Sequence, residues 1–416
     1  MVDRPTSMPQ ADPPAPVPSE GAKVAKDLAK PARNGRNAAR QRGRQQAVAQ
    51  PGKRSANPSP GEQPRIAEKI SGKPPGERGG WNARRAYAAI DLGTNNCRLL
   101  IAKPAADGFV VVDAFSRVVR LGEGLGQSGR LSDAAMDRAV AALSICADKL
   151  RRRHVALARS VATEACRKAS NGPAFIERVR RETGIVLDII TAEEEARLAV
   201  LGCHILLEPG DGPALIFDIG GGSTELVLVD SSGPVPDILD WMSVPWGVVT
   251  LTESERFDAD DPQERAAAYA RMRDRVMQGF APFASRLPHL PDADRRLLGT
   301  SGTVTTLASL HLDLPCYNRD AIDGLIVPSE SMRAISTRLA GMSLQQRREL
   351  PCIGKERADL VVAGCAILES ILDIWPALRL GVADRGIREG ILRALMGRDT
   401  PHPAPGPARS AQEHRA

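Results

Sequence analysis

Apolar positions between residues 86 and 398 fall into two alternating patterns. Short runs rich in Val, Ile and Leu read as strands. Longer segments with apolar residues three or four apart read as helices. Met136, Val140, Leu143, Ala147 and Leu150 form such a stripe within Ser132–Arg153, and Ser132 is placed to cap it. Helices are predicted over Phe175–Thr183, Glu193–Leu207 (acids in its first turn), Pro262–Arg286, Glu356–Trp375 and Gly386–Met396. Ser160–Ala162 predicts a strand end, Val186–Ile190 a strand, and Arg296–Gly302 a strand running into a glycine turn. Alternation of this kind predicts an α/β fold.

One pair of apolar runs is joined in an unusual way. In LIFDIGGGSTELVLVD, Leu215–Phe217 and Leu226–Val229 predict strands. Between them lie Asp218, three glycines, Ser223, Thr224 and Glu225. This is strand–loop–strand, unlike the strand–loop–helix of a nucleotide P-loop or a dinucleotide-binding turn. Gly220, Gly221 and Gly222 let the backbone turn tightly and approach a ligand. Successive N–H groups can then form an anion nest, with the hydroxyls of Ser223 and Thr224 as further donors. Asp218 and Glu225 would repel phosphate directly. They make sense if a divalent cation lies between, or if one of them handles a proton or water. A plain glycine-rich hairpin with incidental acids is the simpler alternative.

A second copy weakens that alternative. YAAIDLGTNNCRLLIA, Tyr87–Ala102, repeats the order: apolar run, Asp91, Gly93, the hydroxyl of Thr94, the amides of Asn95 and Asn96, apolar run. Asp91 and Asp218 are 127 positions apart. Repetition predicts two similar domains, each offering one phosphate hairpin to a common cleft.

Composition changes abruptly near residue 85. Residues 1–85 hold 17 Lys and Arg against 7 Asp and Glu, a net +10, whereas the whole chain carries +6 and the remainder therefore −4. That segment lacks a core-forming pattern, so residues 1–84 are expected to be a disordered basic tail able to bind RNA or polyphosphate weakly. A partnerless solubilising arm is the alternative. Residues 398–416 are expected to be a second disordered tail. The seven cysteines are scattered with no CxxC, which suits reduced thiols and a cytoplasmic location. The six histidines form no zinc-binding pattern. No apolar run predicts a membrane span or a secretory signal.

The motifs together resemble one family. DLGTNN (Asp91–Asn96), RVVRLGEGL (Arg117–Leu125), ATEACRKASN (Ala162–Asn171), EEEARL (Glu193–Leu198), FDIGGGSTEL (Phe217–Leu226), GTSGTV (Gly299–Val304) and ADRGIREGIL (Ala383–Leu392) occur in that order. The chain resembles the exopolyphosphatase/guanosine pentaphosphate phosphohydrolase (Ppx/GppA) family of the actin-like ATPase superfamily. The resemblance implies two ribonuclease-H-like domains, expected at 85–198 and 199–397, with the active site in their cleft. It implies hydrolysis of a terminal phosphoanhydride with Mg2+ or another divalent cation. It implies a catalytic role for Glu195 and a second functional role for Glu225. Asp218, with Glu225, is implied at the metal. Gly93, Thr94, Asn95, Arg167 and Gly221–Thr224 (Gly221, Gly222, Ser223, Thr224) are implied as phosphate-binding. Three departures stand out: Asn96-Cys97 where Ser is common, Arg385 where a small residue is usual, and the absence of the extra C-terminal helical domain of longer members. A homodimer is a further expectation.

The implied chemistry suits these residue types. Phosphoryl transfer needs positioning and charge neutralisation. An Arg fork can take two phosphate oxygens, and a glutamate can orient water and accept its proton. The acids of Glu193–Glu195 also suit a helix N-terminus for purely electrostatic reasons. Inorganic polyphosphate is the expected substrate, with guanosine pentaphosphate (pppGpp) as the alternative. An actin-fold kinase and a catalytically silent regulatory module are the remaining readings.

Overall fold

The computed structural model describes residues 85–398 except 107, 234, 256 and 258–260. The predicted tails at 1–84 and 399–416 lie outside the described residues. Two mixed sheets organise the rest. The first comprises β1 (Ala86–Leu92), β2 (Asn96–Ala105), β3 (Gly108–Val118), β4 (Val155–Ala162) and β5 (Asp188–Ile189), in the order β3-β2-β1-β4-β5. Its connections carry α1 (Leu125–Ser128), α2 (Asp133–Arg152), α3 (Glu164–Lys168) and α4 (Gly172–Thr183), and α5 (Ala192–Cys203) follows. The second sheet comprises β6 (Pro213–Ile219), β7 (Thr224–Asp230), β8 (Asp237–Val244), β9 (Arg296–Thr300), β10 (Ile326–Pro328) and β11 (Arg379–Ala383), in the order β10-β11-β9-β6-β7-β8. With it run α6 (Val248–Ser254), α7 (Pro262–Ala284), α8 (Gly302–His311), α9 (Arg319–Ile322), α10 (Ser329–Gly341), α11 (Leu344–Arg348), α12 (Val361–Ile374) and α13 (Ile387–Arg398).

The sequence repeat is also a topological one. In each sheet an antiparallel three-stranded meander (β1–β3, β6–β8) is followed by a strand parallel to its first member: β4 beside β1, β9 beside β6. β1 and β6 are central and buried almost throughout, which is why their apolar runs are nearly continuous. Helix α5 lies between the sheets. Leu198 and Ala199 pack with Tyr87 and Ala89 of the first sheet, while Ala196, Val200 and Cys203 pack with Ala214, Ile216 and Val227 of the second. A cut after residue 198 therefore falls inside a helix shared by both sheets. The last helix, α13, also belongs to this layer, since Ile391, Leu392 and Leu395 join the cluster on the first sheet.

Several boundaries differ from the sequence-based expectation. The strand at 186–190 shrinks to Asp188–Ile189. The helix expected to reach Leu207 ends at Cys203 in a short 3-10 turn. The helix expected from Glu356 begins at Val361, because residues 351–360 form turns and Gly354 has φ 72°.

Candidate active site

The two glycine hairpins meet at the sheet ends. In the first, between β1 and β2, the Gly93 amide donates to the Asn96 carbonyl at 2.9 Å. The carbonyl of Asn95 accepts from Val119 and that of Thr94 from Gly122, which fixes the loop against the chain following β3. In the second, between β6 and β7, Gly220 donates to the Ser223 carbonyl at 2.9 Å, while Val248 and Val249 donate to Gly220 and Gly221. The hairpins approach so closely that side chains would not fit. A Cβ at Gly222 would lie 2.6 Å from Thr94 Oγ1 and 2.9 Å from Glu164 Cγ, and one at Gly221 would lie 3.0 Å from Thr94 Cβ. Glycine is required here because the two hairpins pack against each other, whereas the sequence pattern pointed to the approach of a ligand.

A cavity of about 130 Å3 opens between the hairpins. Gly93, Thr94, Asn95, Gly221, Gly222 and Ser223 line it together with Asp91, Asp218 and Glu164. The opposite wall is the start of α8, where Ser301 caps the helix by accepting from the Val304 amide at 3.0 Å. Open helix N-termini favour anions. A larger cavity of about 550 Å3 continues past Arg98 and Arg357 and is lined also by Arg319, Arg385 and Arg388. Among the described residues, Arg98, Arg357 and Arg388 form no close ion pair, although Asp91 feels the charge of Arg98 and Arg388. Burial, with repulsion from Arg98, lowers the pKa of Arg357 and of Arg388. An arriving anion would relieve both effects.

Four carboxyls crowd together here: Glu195 and Glu225 are buried, Asp91 and Asp218 partly so. Asp218 is pushed up to about 8, foremost by burial and then by Glu225. Asp91 is raised by burial. Glu195 is raised well above the usual carboxylate range by burial and the charge of Glu225. Glu225 is also raised by burial, although Ser223 and Ser243 donate to its Oε1 at 2.6 and 2.9 Å and oppose that shift.

The remaining expected residues stand behind the cavity wall. Thr224 is fully buried and its hydroxyl donates to the Trp246 carbonyl at 2.6 Å, so it fixes the loop after β8 rather than facing the cleft. Glu225 likewise organises serine hydroxyls. Glu195 lies in the first turn of α5, whose cap Thr191 accepts from the Glu194 amide. Its Oε2 accepts from Arg167 Nη1 and Nη2, each at 3.1 Å, and no described residue donates to its Oε1. Arg167 has no free donor for a phosphate in this arrangement. Nε and Nη2 donate to Glu164, Nη1 to the Ile190 carbonyl, and Nη1 and Nη2 to Glu195, which accounts for all five N–H groups.

A divalent cation fits this donor set. Asp91 Oδ1 is buried without a hydrogen-bond partner. Asp91 and Asp218 both line the cavity, and Glu225 stands behind it. No group of three His, Cys, Asp or Glu among the described residues is close enough to enclose an ion. Asp91 was legible as the repeat partner of Asp218. Glu164 and Arg388 lie within motifs already noted but were not singled out there, and Arg357 carried no signal, because it reaches the cleft only through tertiary packing.

The comparisons with known proteins agree with this geometry. The sequence model of the Ppx/GppA phosphatase family matches residues 100–399. Exopolyphosphatase 2 of Mycobacterium tuberculosis is 32% identical over 325 residues, covering 74% of this chain and 98% of the relative. The crystal structure of the Aquifex aeolicus Ppx/GppA family member superposes with a TM-score of 0.61 at 28% identity, covering 76% of this chain and 98% of that one. An exopolyphosphatase structure from Cytophaga hutchinsonii shares the fold at a TM-score of 0.66 and 24% identity, with the same coverage. With the paired hairpins, the buried glutamate on α5 and a match across most of its length, the chain belongs to the Ppx/GppA phosphatase family.

Proposed function

We propose that the protein is an exopolyphosphatase that hydrolyses the terminal phosphoanhydride of inorganic polyphosphate. The observation that carries this reading is the joining of the hairpin cavity to an arginine-lined chamber. The terminal phosphate sits between the hairpins, with backbone N–H groups and the unpartnered Thr94 hydroxyl beside it, while the Ser223 hydroxyl donates to Glu225. Arg98, Arg357 and Arg388 offer counter-charge to the phosphates behind it. The similarity to an exopolyphosphatase over most of both chains favours the polymer over pppGpp.

Glu195 is the proposed water-orienting base. Arg167 fixes one carboxylate oxygen, and the other is left for the water. A raised pKa makes the ionised Glu195 a stronger proton acceptor than an ordinary carboxylate. Asp91 and Asp218 would hold Mg2+, which when bound supplies charge neutralisation for the phosphate oxygens. Glu225 keeps Ser223 oriented and holds negative charge near Glu195. Residues 1–84 are proposed as a weak polyanion contact outside the chemistry.

The test is orthophosphate release from long-chain polyphosphate and from pppGpp at equal concentration of ends. We expect polyphosphate to be the better substrate, and a chain starting at residue 85 to keep its turnover on a short polyphosphate. Faster release from pppGpp would overturn the substrate assignment.

A further inference from the structure

Glu164 is a carboxylate in the wall of a cavity built for phosphates, where a negative charge should be unwelcome. It is 8% exposed and sits opposite Gly222. Both its oxygens are occupied. Oε2 accepts from Arg167 Nη2 at 2.6 Å and Nε at 3.1 Å, and Oε1 accepts from Lys168 Nζ at 2.6 Å. Arg167 in turn uses its remaining donors on Glu195 and the Ile190 carbonyl. The guanidinium is thus held from two sides by carboxylates, one in the wall and one behind it.

We propose that Glu164 is a positioning residue that reserves Arg167 for Glu195. A neutral side chain at 164 holds Nε and Nη2 of Arg167 with no opposing charge, so they are released more easily toward a cavity that receives phosphate oxygens. Arg–phosphate contacts are strong and often bidentate, so the guanidinium turns to the substrate. Substrate then binds more tightly in its ground state, while Glu195 loses the group that fixes its orientation. Added ground-state binding does not speed the chemical step, and a misplaced base slows it. The structure therefore assigns Arg167 to Glu195 rather than to the substrate, with Glu164 as the reason. The assignment rests on the hydrolase reading above.

The experiment compares kcat and KM of Glu164→Gln with the full-length protein on polyphosphate. Wild-type turnover is measured first, so that failure of the hydrolase reading is seen separately as absence of phosphate release. We expect kcat to fall at least about tenfold and KM to fall at least about threefold, the pattern of a lost constraint on the base combined with new substrate binding. A general loss of structure would instead lower kcat with KM unchanged or raised. Glu164→Asp, which keeps the charge, is expected to recover at least about a third of wild-type kcat. Thermal unfolding of each variant checks folding, and if Glu164→Gln does not fold, the Asp variant alone decides. Unchanged kcat in Glu164→Gln, a KM that rises, or an Asp variant as slow as the Gln variant overturns the proposal.

Discussion

At the scale of residues, the site concentrates carboxyls whose pKa values are raised by burial and by one another. Asp218 reaches about 8, and Asp91, Glu195 and Glu225 share the direction. The sign of the consequence follows from linkage. A carboxyl with a raised folded pKa keeps its proton where the unfolded chain has released it. Its contribution to stability is full below the ordinary value of 3.8 for Asp and is lost as pH rises, for Asp218 through about 8. A cation on Asp91 and Asp218 replaces those protons and offsets the loss. Mg2+ is therefore expected to raise Tm more at about pH 8.5 than at about pH 6. Equal increments at both pH values would show that these carboxyls do not hold the ion. The sequence carried much of this residue-level picture through DIGGGST and its repeat DLGTNN. It placed Thr224 and Arg167 on the phosphate, because a motif gives spacing but not hydrogen-bond partners. In the structure both are committed to protein groups.

At the scale of elements, the decisive contact is between α5 and α13. A Cβ at Gly202 would lie 1.9 Å from the Gly386 carbonyl oxygen, and one at Gly390 would lie 2.0 Å from that of Leu198. Both obstacles are backbone, so neither can move aside cheaply. Since α5 also carries Glu195 and packs on both sheets, its position is set by this crossing. Gly390→Ala is expected to destabilise by about 1–3 kcal/mol through overpacking, read as a lower denaturant midpoint, and to reduce turnover. An unchanged midpoint would show that the helices tolerate a wider separation. The hairpins and long helices were legible because apolar runs flank them on both sides. β3 and β8 were not. Each lies at a sheet edge and is largely intermediate or exposed, so it lacks the buried alternation that marks a strand. Residues 356–360 looked helical by continuity with α12, but they form turns following Gly354.

At the scale of the whole molecule, the two sheets bring their hairpins together over one cavity, and side-chain contacts join the halves on either side. Arg120 pairs with Asp359 at 3.0 Å, and the Gly124 amide donates to Glu253 at 2.9 Å. The α/β class and the repeat foretold this convergence. The arginine-lined chamber was not foretold, since Arg98, Arg357 and Arg388 are separated by long stretches of chain. The central claim is that the convergent site hydrolyses the terminal phosphate of polyphosphate with Glu195 as the base. Its most direct test is orthophosphate release from long-chain polyphosphate by Glu195→Gln, with polymer binding measured in parallel. Turnover is expected to fall at least about 100-fold, within the usual range for loss of a general base, with polymer affinity within about threefold of wild type. A variant that keeps more than about a tenth of wild-type turnover would contradict it.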